Sequence, residues 1–337
     1  MVALGVIYAV LSGLANGLFT TPMKIIRHWK WENIWLIFIL TACWGMPLTV
    51  VLSTVGDFRP VVSAAPEAAV TAALAFGFAW GFGAILFGLS VDRLGVSLAN
   101  TLVLGLSSAL GSLVPLVLAG TLRLEARQLV LFLGVAVFIA GIAVCSAAGR
   151  MRDAAEARSA AAPQPSAVGY LFAIGAGVMS AVFNIGYSLA LPIAAAGMRL
   201  GHSSFRATNV IWLLMLGAGA LPNIGYCTLL LARHRSAGLF VAPAPAPSWG
   251  LSLLMGLLWG GSIFLYGAAT PLLGDIGPSI GWPLSLAVGL LVANLMGFLL
   301  GEWRRAGGEA VSRMRLGIGM LLAAIVLCAF STTLGNA

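Results

Sequence analysis

The stretch that decides the fold is residues 249–300, WGLSLLMGLLWGGSIFLYGAATPLLGDIGPSIGWPLSLAVGLLVANLMGFLL, in which Asp275 is the only charged residue. A helix needs about 20 mostly apolar residues to cross the hydrocarbon core of a bilayer. The stretch is long enough for two such helices joined by a short loop at Asp275. It therefore predicts a pair of membrane-spanning helices.

The composition of the whole chain agrees with a membrane location. Of its 337 residues, 60% are hydrophobic and 8% are charged, and the mean hydropathy is +1.02. A soluble domain carries about 25% charged residues, so this chain has too few to cover a water-facing surface. Strands of a membrane β-barrel alternate in polarity and run only about 10 residues, which does not fit the long apolar runs. The composition predicts an all-α membrane protein.

Apolar runs separated by charged or Pro-rich stretches predict ten transmembrane helices. They cover residues 2–22, 34–55, 68–90, 96–119, 128–148, 168–190, 208–231, 249–270, 279–300 and 314–334. The polar stretch 149–167 is interpreted as a flexible linker. It divides the chain into a first five-helix unit, residues 1–148, and a second, residues 168–337. The Pro-rich stretch 239–248 is expected to be an extended loop.

The distribution of basic residues predicts the orientation. With ten helices, 13 of the 18 Lys and Arg residues fall in loops on one side of the membrane. Cytoplasmic loops carry the excess of positive charge. The chain is therefore predicted to lie in a bacterial inner membrane with both termini on the periplasmic side. The same rule accounts for the net charge of +8 without nucleic-acid binding, since no basic recognition module is present.

An internal repeat relates the two units. The third and eighth segments share a pattern at one constant separation along the chain: Trp80-Gly81 with Trp259-Gly260, Gly88 with Gly267, and Leu94-Gly95 with Leu273-Gly274. The first and sixth segments match at a second constant separation: Gly5 with Gly169, Gly13 with Gly177, and Phe19 with Phe183. Because each unit has an odd number of helices, the second enters the membrane from the opposite side. This 5+5 inverted repeat is typical of secondary transporters, in which the substrate site lies between the halves near the midplane.

Three motifs carry a resemblance to a known family. They are Pro22-x-Lys24-x4-Trp29-x-Trp31-Glu32-x2-Trp35, Trp80-Gly81-x-Gly83-x4-Gly88-Leu89-x4-Leu94-Gly95-x-Ser97, and Glu302-Trp303-x2-Ala306-Gly307. With these motifs the chain resembles the L-rhamnose–proton symporter family of the drug/metabolite transporter superfamily. The resemblance implies the ten-helix drug/metabolite transporter fold and a secondary transporter of a small polar solute. It favours a monosaccharide such as L-rhamnose, carried with protons by alternating access.

Polar residues within apolar helices are candidates for the substrate site, because an unpaired polar group in hydrocarbon is costly. Asn16 and Thr20 lie one turn apart on the first helix, and Ser180, Asn184 and Tyr187 share a face of the sixth. We expect both clusters to border a central cavity and to bind substrate hydroxyls. The alternative for each residue is a packing contact between helices. Ser262 is a further polar candidate on the eighth helix.

Aromatic residues deep in the segments are candidates for stacking on a sugar ring. They are Trp80, Trp259, Tyr266 and Trp282. The tryptophans beside charged residues instead favour an aromatic belt at the membrane interface; these are Trp29, Trp31, Trp35 and Trp303.

Proton coupling needs a titratable group linked to both states of the transporter. No Asp, Glu or His lies at the centre of a predicted segment, and Glu32 with Lys24 at the first loop is the favoured coupling or gating pair. The alternative is that Glu32 is a solvated carboxylate at the membrane boundary. The alternative to proton symport is a uniporter, which moves the solute without a coupling ion.

Other functions are less well supported. The chain lacks the paired carboxylates, in-helix histidines or metal motifs of an intramembrane enzyme, so no enzyme activity, cofactor or metal is expected. The four cysteines lie in apolar segments and are interpreted as packing residues. A metabolite or drug exporter of the same superfamily and a non-transporting receptor or scaffold remain alternatives. The expected partners are a sugar solute, protons and the lipid bilayer, with the chain a monomer or homodimer.

Overall fold

The computed structural model describes residues 2–94, 96–118, 120, 122–123, 125–156, 167–241, 246–301, 303–304 and 306–334. Regular structure in these ranges is entirely helical. The long helices in chain order are α1 (Val2–Leu18), α2 (Trp31–Thr54), α3 (Glu67–Leu94), α4 (Val96–Leu118), α5 (Ala126–Glu156), α6 (Ala167–Arg199), α7 (Ser204–His234), α8 (Ala246–Ala269), α9 (Gly277–Leu299) and α10 (Gly308–Ser331). Each overlaps one of the segments predicted from sequence.

Eight of these helices contain an apolar stretch long enough to cross a membrane. They are α2, α3 and α5 to α10. The other two are represented by shorter apolar stretches, Val2–Leu18 in α1 and Leu102–Leu118 in α4. The prediction of an all-helical, multi-pass membrane protein is therefore confirmed.

Several boundaries differ from the predicted ones. Helix α5 continues to Glu156, so residues 149–156 of the expected flexible linker are helical, and residues 157–166 lie outside the described ranges. In the Pro-rich stretch, a short 3-10 helix covers Ala237–Phe240 and α8 begins at Ala246, so its two ends are helical. Residues 242–245 of that stretch also lie outside the described ranges.

Helix α2 contains a π-helical turn at Leu40–Gly45, which the sequence pattern did not predict. The N–H of Met46 bonds to the carbonyl of Thr41, five residues back. The next residue, Pro47, has no N–H to continue the regular α-helical bonding. The turn thus accommodates the proline without ending the helix.

Two glycines of the repeat pattern, Gly5 and Gly169, are sites of close packing. A Cβ on Gly5 of α1 would lie 3.1 Å from Leu273, and one on Gly169 of α6 would lie 2.8 Å from Leu94. Small residues allow helix backbones to approach within a membrane. One contact joins α1 to Leu273, in the short 3-10 helix that follows α8, and the other joins α6 to the last residue of α3.

Helices α5 and α10 pack through a reciprocal contact. A Cβ on Gly134 of α5 would lie 2.8 Å from Sγ of Cys328 on α10, and one on Gly317 of α10 would lie closer still to Sγ of Cys145 on α5. All four cysteines of the chain are buried and free. Cys145 and Cys328 therefore fill the spaces beside Gly317 and Gly134, which agrees with the interpretation of the cysteines as packing residues.

Candidate functional site

A central cavity of about 200 Å³ lies among seven of the helices. Its lining residues are Ser12, Asn16 and Phe19 of α1, Trp35, Phe38 and Ile39 of α2, Trp80 and Ala84 of α3, Leu104 of α4, Ser180 and Phe183 of α6, Trp259, Ser262, Ile263 and Tyr266 of α8, and Trp282, Ser285 and Leu286 of α9. None of these described lining residues carries a charge. Such a cavity suits an uncharged solute, because a charged one would lose its hydration without gaining a counter-ion.

Aromatic rings form much of the cavity wall. The indoles of Trp80 and Trp259 stack with centroids 5.3 Å apart and planes 10° from parallel. Phe183 lies 4.9 Å from Trp80, and Phe38 lies 5.9 Å from Trp259. These contacts hold the indoles in a fixed orientation, so that rigid apolar surfaces face the cavity.

Close approach of α1 and α9 positions the polar side chains on one wall. A Cβ on Gly13 would lie 2.6 Å from the backbone oxygen of Ser285. At this crossing the hydroxyls of Ser12 and Ser285 are 2.8 Å apart. Asn16 lies one turn beyond Ser12 on the same face of α1. Its amide has no hydrogen-bond partner within the described part of the protein, although it borders the cavity.

A second polar group lies where α4, α6 and α9 meet. The hydroxyls of Ser107 and Ser180 are 2.8 Å apart, and Nε1 of Trp282 donates to Ser107 at 3.2 Å. Ser262 donates to the carbonyl of Trp259 at 2.6 Å. These hydroxyls are oriented by the protein and retain acceptor capacity.

One end of the cavity is closed by tyrosines from α6 and α8. The hydroxyl of Tyr187 is hydrogen-bonded to that of Thr270, at the end of α8. The ring of Tyr187 stacks on Trp212 of α7, with centroids 4.4 Å apart and planes 9° from parallel. Tyr187 and Trp212 are fully buried, so α6 and α7 are closely packed at this point.

Asn184 connects three helices at the same end. Its Nδ2 donates to the carbonyls of Gly111 at 2.8 Å and Pro278 at 3.2 Å, and its Oδ1 accepts from the hydroxyl of Tyr266. Asn184 is fully buried. The side chains of Asn184, Tyr187, Tyr266 and Thr270 are called the seal below.

A buried carboxylate, that of Glu32, lies in the first turn of α2, where this helix contacts the end of α7. Oε1 of Glu32 accepts from the hydroxyl of Ser236 at 2.6 Å and lies 3.0 Å from Nδ1 of His234. Nδ2 of Asn33 donates to the backbone oxygen of Ser236 at 3.0 Å. Arg235 adopts the left-handed conformation that ends α7, and the next residue is Ser236. Glu32 is therefore held by the chain that leaves α7.

The structure places the residues proposed from sequence in several different parts of the protein. Those that line the cavity are Asn16, Trp80, Ser180, Trp259, Ser262, Tyr266 and Trp282. Asn184 and Tyr187 lie in the seal, while Thr20 is exposed and does not line the cavity. Glu32 is 3% exposed, in contrast to the solvated alternative. The side chains of Lys24 and Glu302 lie outside the described part of the chain.

Sequence reasoning missed several contributors. Trp35 was assigned to an interfacial belt but lines the cavity, and its Nε1 donates to Oδ1 of Asn223 at 3.1 Å. Trp29 and Trp303, assigned to the same belt, are buried at 7% exposure each. The sequence feature that could have indicated a functional position for Trp35 is its place one helical turn beyond Glu32. Nothing in the sequence pattern indicated that His234 and Ser236, in the other half of the chain, would meet Glu32.

The family model for the L-rhamnose-proton symport protein (RhaT) matches residues 1–337. This chain belongs to that family. Curated relatives include the L-rhamnose-proton symporter of Cronobacter sakazakii (strain ATCC BAA-894), 27% identical over 334 residues and covering 96% of each chain. The L-rhamnose-proton symporter of Klebsiella pneumoniae (strain 342) is 25% identical over 335 residues, again with 96% of each chain covered. Membership confirms the resemblance to the L-rhamnose–proton symporter family, and that family is named for transport and not for catalysis.

Proposed function

We propose that this chain carries L-rhamnose, or a closely related monosaccharide, across the bacterial inner membrane together with protons. The observation that carries the proposal is the uncharged aromatic cavity, in which the amide of Asn16 has no partner among the described residues and is free to bind a solute. Indole faces pack against the C–H surfaces of a sugar ring, and amides and hydroxyls bind its hydroxyl groups. The names of the family and of its curated relatives support the choice of solute.

The proposed architecture is ten transmembrane helices in a 5+5 inverted repeat of the drug/metabolite transporter type. Its support is that contacts recur in pairs. Helix α1 packs on α8 and α9, and α6 packs on α3 and α4. The Gly5–Leu273 and Gly169–Leu94 contacts are related by the same two separations along the chain that define the sequence repeat.

The proposed alternating access is supported by the residues at the two ends of the cavity, which occupy equivalent positions in the proposed repeat. The positions equivalent to Asn184, Tyr187 and Tyr266 of the seal are occupied by Thr20, Met23 and Phe87. Thr20 is exposed, and Met23 and Phe87 are partly buried. We interpret the conformation as closed at the seal and open toward the loop between α1 and α2. The charge distribution assigns that loop to the cytoplasm, with both termini outside.

Glu32 is proposed as the coupling residue. It is the only charged residue that is buried among the side chains that the structure describes. A proton symporter requires a group whose ionisation differs between its states, and a buried carboxylate is such a group. Lys24, the proposed gating partner, cannot be placed relative to it. The proposal requires no cofactor, and monomeric and dimeric forms are both compatible with it.

Counterflow tests the solute without involving protons. Purified protein in liposomes loaded with L-rhamnose is diluted into labelled L-rhamnose at equal pH on both sides. We expect transient accumulation of label, competed by other 6-deoxyhexoses and not by charged sugars such as uronates. Equal competition by a uronate would contradict the uncharged cavity as the solute site, and absence of exchange would exclude L-rhamnose as the solute.

A further inference from the structure

Glu32 and His234 form a pair in which Glu32 is buried in the protein and His234 is partly exposed to water. The carboxylate of Glu32 is 3% exposed, whereas the side chain of His234 is 42% exposed, and Oε1 and Nδ1 are 3.0 Å apart. A buried carboxylate is tolerated only when hydrogen bonds or opposite charge compensate for its lost hydration. The 2.6 Å bond from the Ser236 hydroxyl supplies part of this compensation.

His234 lies between the carboxylate and the solvent at this end of the molecule. Histidine is the side chain that changes charge near neutral pH, and it commonly acts as a proton shuttle. We propose that Glu32 and His234 together form the site of the coupled proton, and that His234 exchanges this proton with the solution. The inference rests on the proposed proton symport and extends it, since it adds a second residue and an entry route.

Proton transfer within the pair balances simply. The imidazolium of His234 loses the proton on Nδ1, and Oε1 of Glu32 gains it. A neutral imidazole with its proton on Nε2 and a neutral carboxylic acid remain. The carboxylate then loses both its charge and part of its capacity to accept hydrogen bonds. The tie between the beginning of α2 and the end of α7 is weakened as a result.

The other ionisable groups around the pair leave this assignment intact. Lys30 donates from Nζ to the backbone oxygen of His234 at 3.4 Å and is not paired with the carboxylate in the structure. Arg233 and Arg235 flank His234 along the chain and are exposed. Cys227 is buried on α7 and is an uncharged thiol beside the site. Helix α8, which packs on both α2 and α7, contains no charged residue.

Helix α2 connects the pair to the cavity wall. Trp35 lies one turn beyond Glu32 on α2, lines the cavity and donates to Oδ1 of Asn223 on α7. Nδ2 of Asn223 donates to the backbone oxygen of Gly81 at 2.9 Å. Gly81 follows Trp80 of the cavity wall. A shift of α2 relative to α7 on protonation would therefore move two tryptophans that face the solute.

The first test needs no solute. Thermal stability of the purified protein is measured against pH for wild type, Glu32→Gln, His234→Gln and the exposed control His28→Gln. We expect a pH-dependent step in melting temperature in wild type and in His28→Gln, because protonation of the pair changes the contact between α2 and α7. The step should disappear in Glu32→Gln and be reduced in His234→Gln. An unchanged step in both variants would overturn the proposal.

Ser236→Ala separates titration from structural support, because it removes a hydrogen bond and no titratable group. It should lower the melting temperature while keeping the pH-dependent step. A loss of the step in Ser236→Ala equal to that in His234→Gln would contradict a specific role for the imidazole.

The second test uses transport. In Glu32→Gln and His234→Gln, the ratio of L-rhamnose uptake with a proton gradient to uptake without one should fall roughly tenfold relative to wild type. Gradient stimulation equal to wild type in His234→Gln would overturn the inference. If wild type exchanges no L-rhamnose, the proposed solute is wrong, and the stability measurements still decide whether the pair binds a proton.

Discussion

Trp80 of α3 and Trp259 of α8 stack face to face beside the cavity, with centroids 5.3 Å apart and planes 10° from parallel. The same two residues occupy equivalent positions in the sequence repeat. Under the proposed inverted repeat, this contact would lie near the axis that relates the two halves. In that proposal, a solute bound against these indoles would lie between the two halves.

Replacing Trp259 by Leu is expected to weaken L-rhamnose binding roughly 2- to 10-fold, because an aromatic contact contributes about 0.5–1.5 kcal/mol beyond its buried area. The half-saturation concentration for counterflow measures the effect. The matched control is Trp44→Leu, since Trp44 is 40% exposed and does not line the cavity. Equal effects of the two substitutions would argue against a cavity role for Trp259.

Replacing Tyr187 by Phe removes the bond to Thr270 and is expected to loosen the seal. A hydrogen bond between membrane helices contributes about 0.6 kcal/mol on average, so the open population at that end should rise about threefold. A cysteine introduced at Ala84 of the cavity wall, in a cysteine-free background, reports the change. It should react faster with a membrane-impermeant maleimide added from the sealed end.

Tyr170 provides the control for that experiment, because it lies on the same helix and is 38% exposed. Tyr170→Phe should leave the labelling rate unchanged. Identical rates in Tyr187→Phe and wild type would show that the Tyr187–Thr270 bond does not hold the cavity closed.

Replacing Gly317 by Val is expected to destabilise the protein by about 1–3 kcal/mol, the usual cost of overpacking. A side chain there would overlap Cys145 of α5, including its backbone N at 3.0 Å. Gly319, two residues further along α10, has nothing within 4 Å of the position that a Cβ would occupy. Melting temperatures should therefore fall for Gly317→Val and stay near wild type for Gly319→Val. Equal melting temperatures would contradict the close packing of α5 and α10.

The proposed orientation predicts which loops are accessible from outside the cell. In a cysteine-free background, Arg199→Cys at the end of α6 should react with an impermeant maleimide on intact spheroplasts. His28→Cys, between α1 and α2, should react only after the membrane is permeabilised. The reverse pattern would place both termini in the cytoplasm.

Hydrophobic runs were sufficient to locate the helices, since the bilayer requires apolar segments of a set length. The hydrophobic runs did not predict correctly where the helices end. Helix α5 extends past its predicted end at 148 to Glu156, because helical backbone bonding does not require apolar side chains once it has left the bilayer. The π-helical turn at Leu40–Gly45 depends on how Pro47 is accommodated, which a hydropathy pattern does not report.

The candidate site was partly predictable. Polar and aromatic residues within apolar helices pointed to Asn16, Trp80 and Trp259, since few other roles exist for them in hydrocarbon. The Glu32–His234 contact was not predictable, because it joins residues 202 positions apart and the sequence around His234 does not indicate Glu32 as its partner. Thr20 shares a helix face with Asn16 in the sequence, but it lies past the end of α1 at Leu18 and is exposed.

The most direct test of the account is uptake of labelled L-rhamnose into proteoliposomes, with and without an inward proton gradient. Proton symport predicts uptake above the equilibrium level when the gradient is present, and its loss when the gradient is collapsed by a protonophore. Uptake that stops at equilibrium, whether or not the gradient is present, would contradict proton coupling. Absence of any uptake by correctly inserted protein would contradict L-rhamnose as the solute.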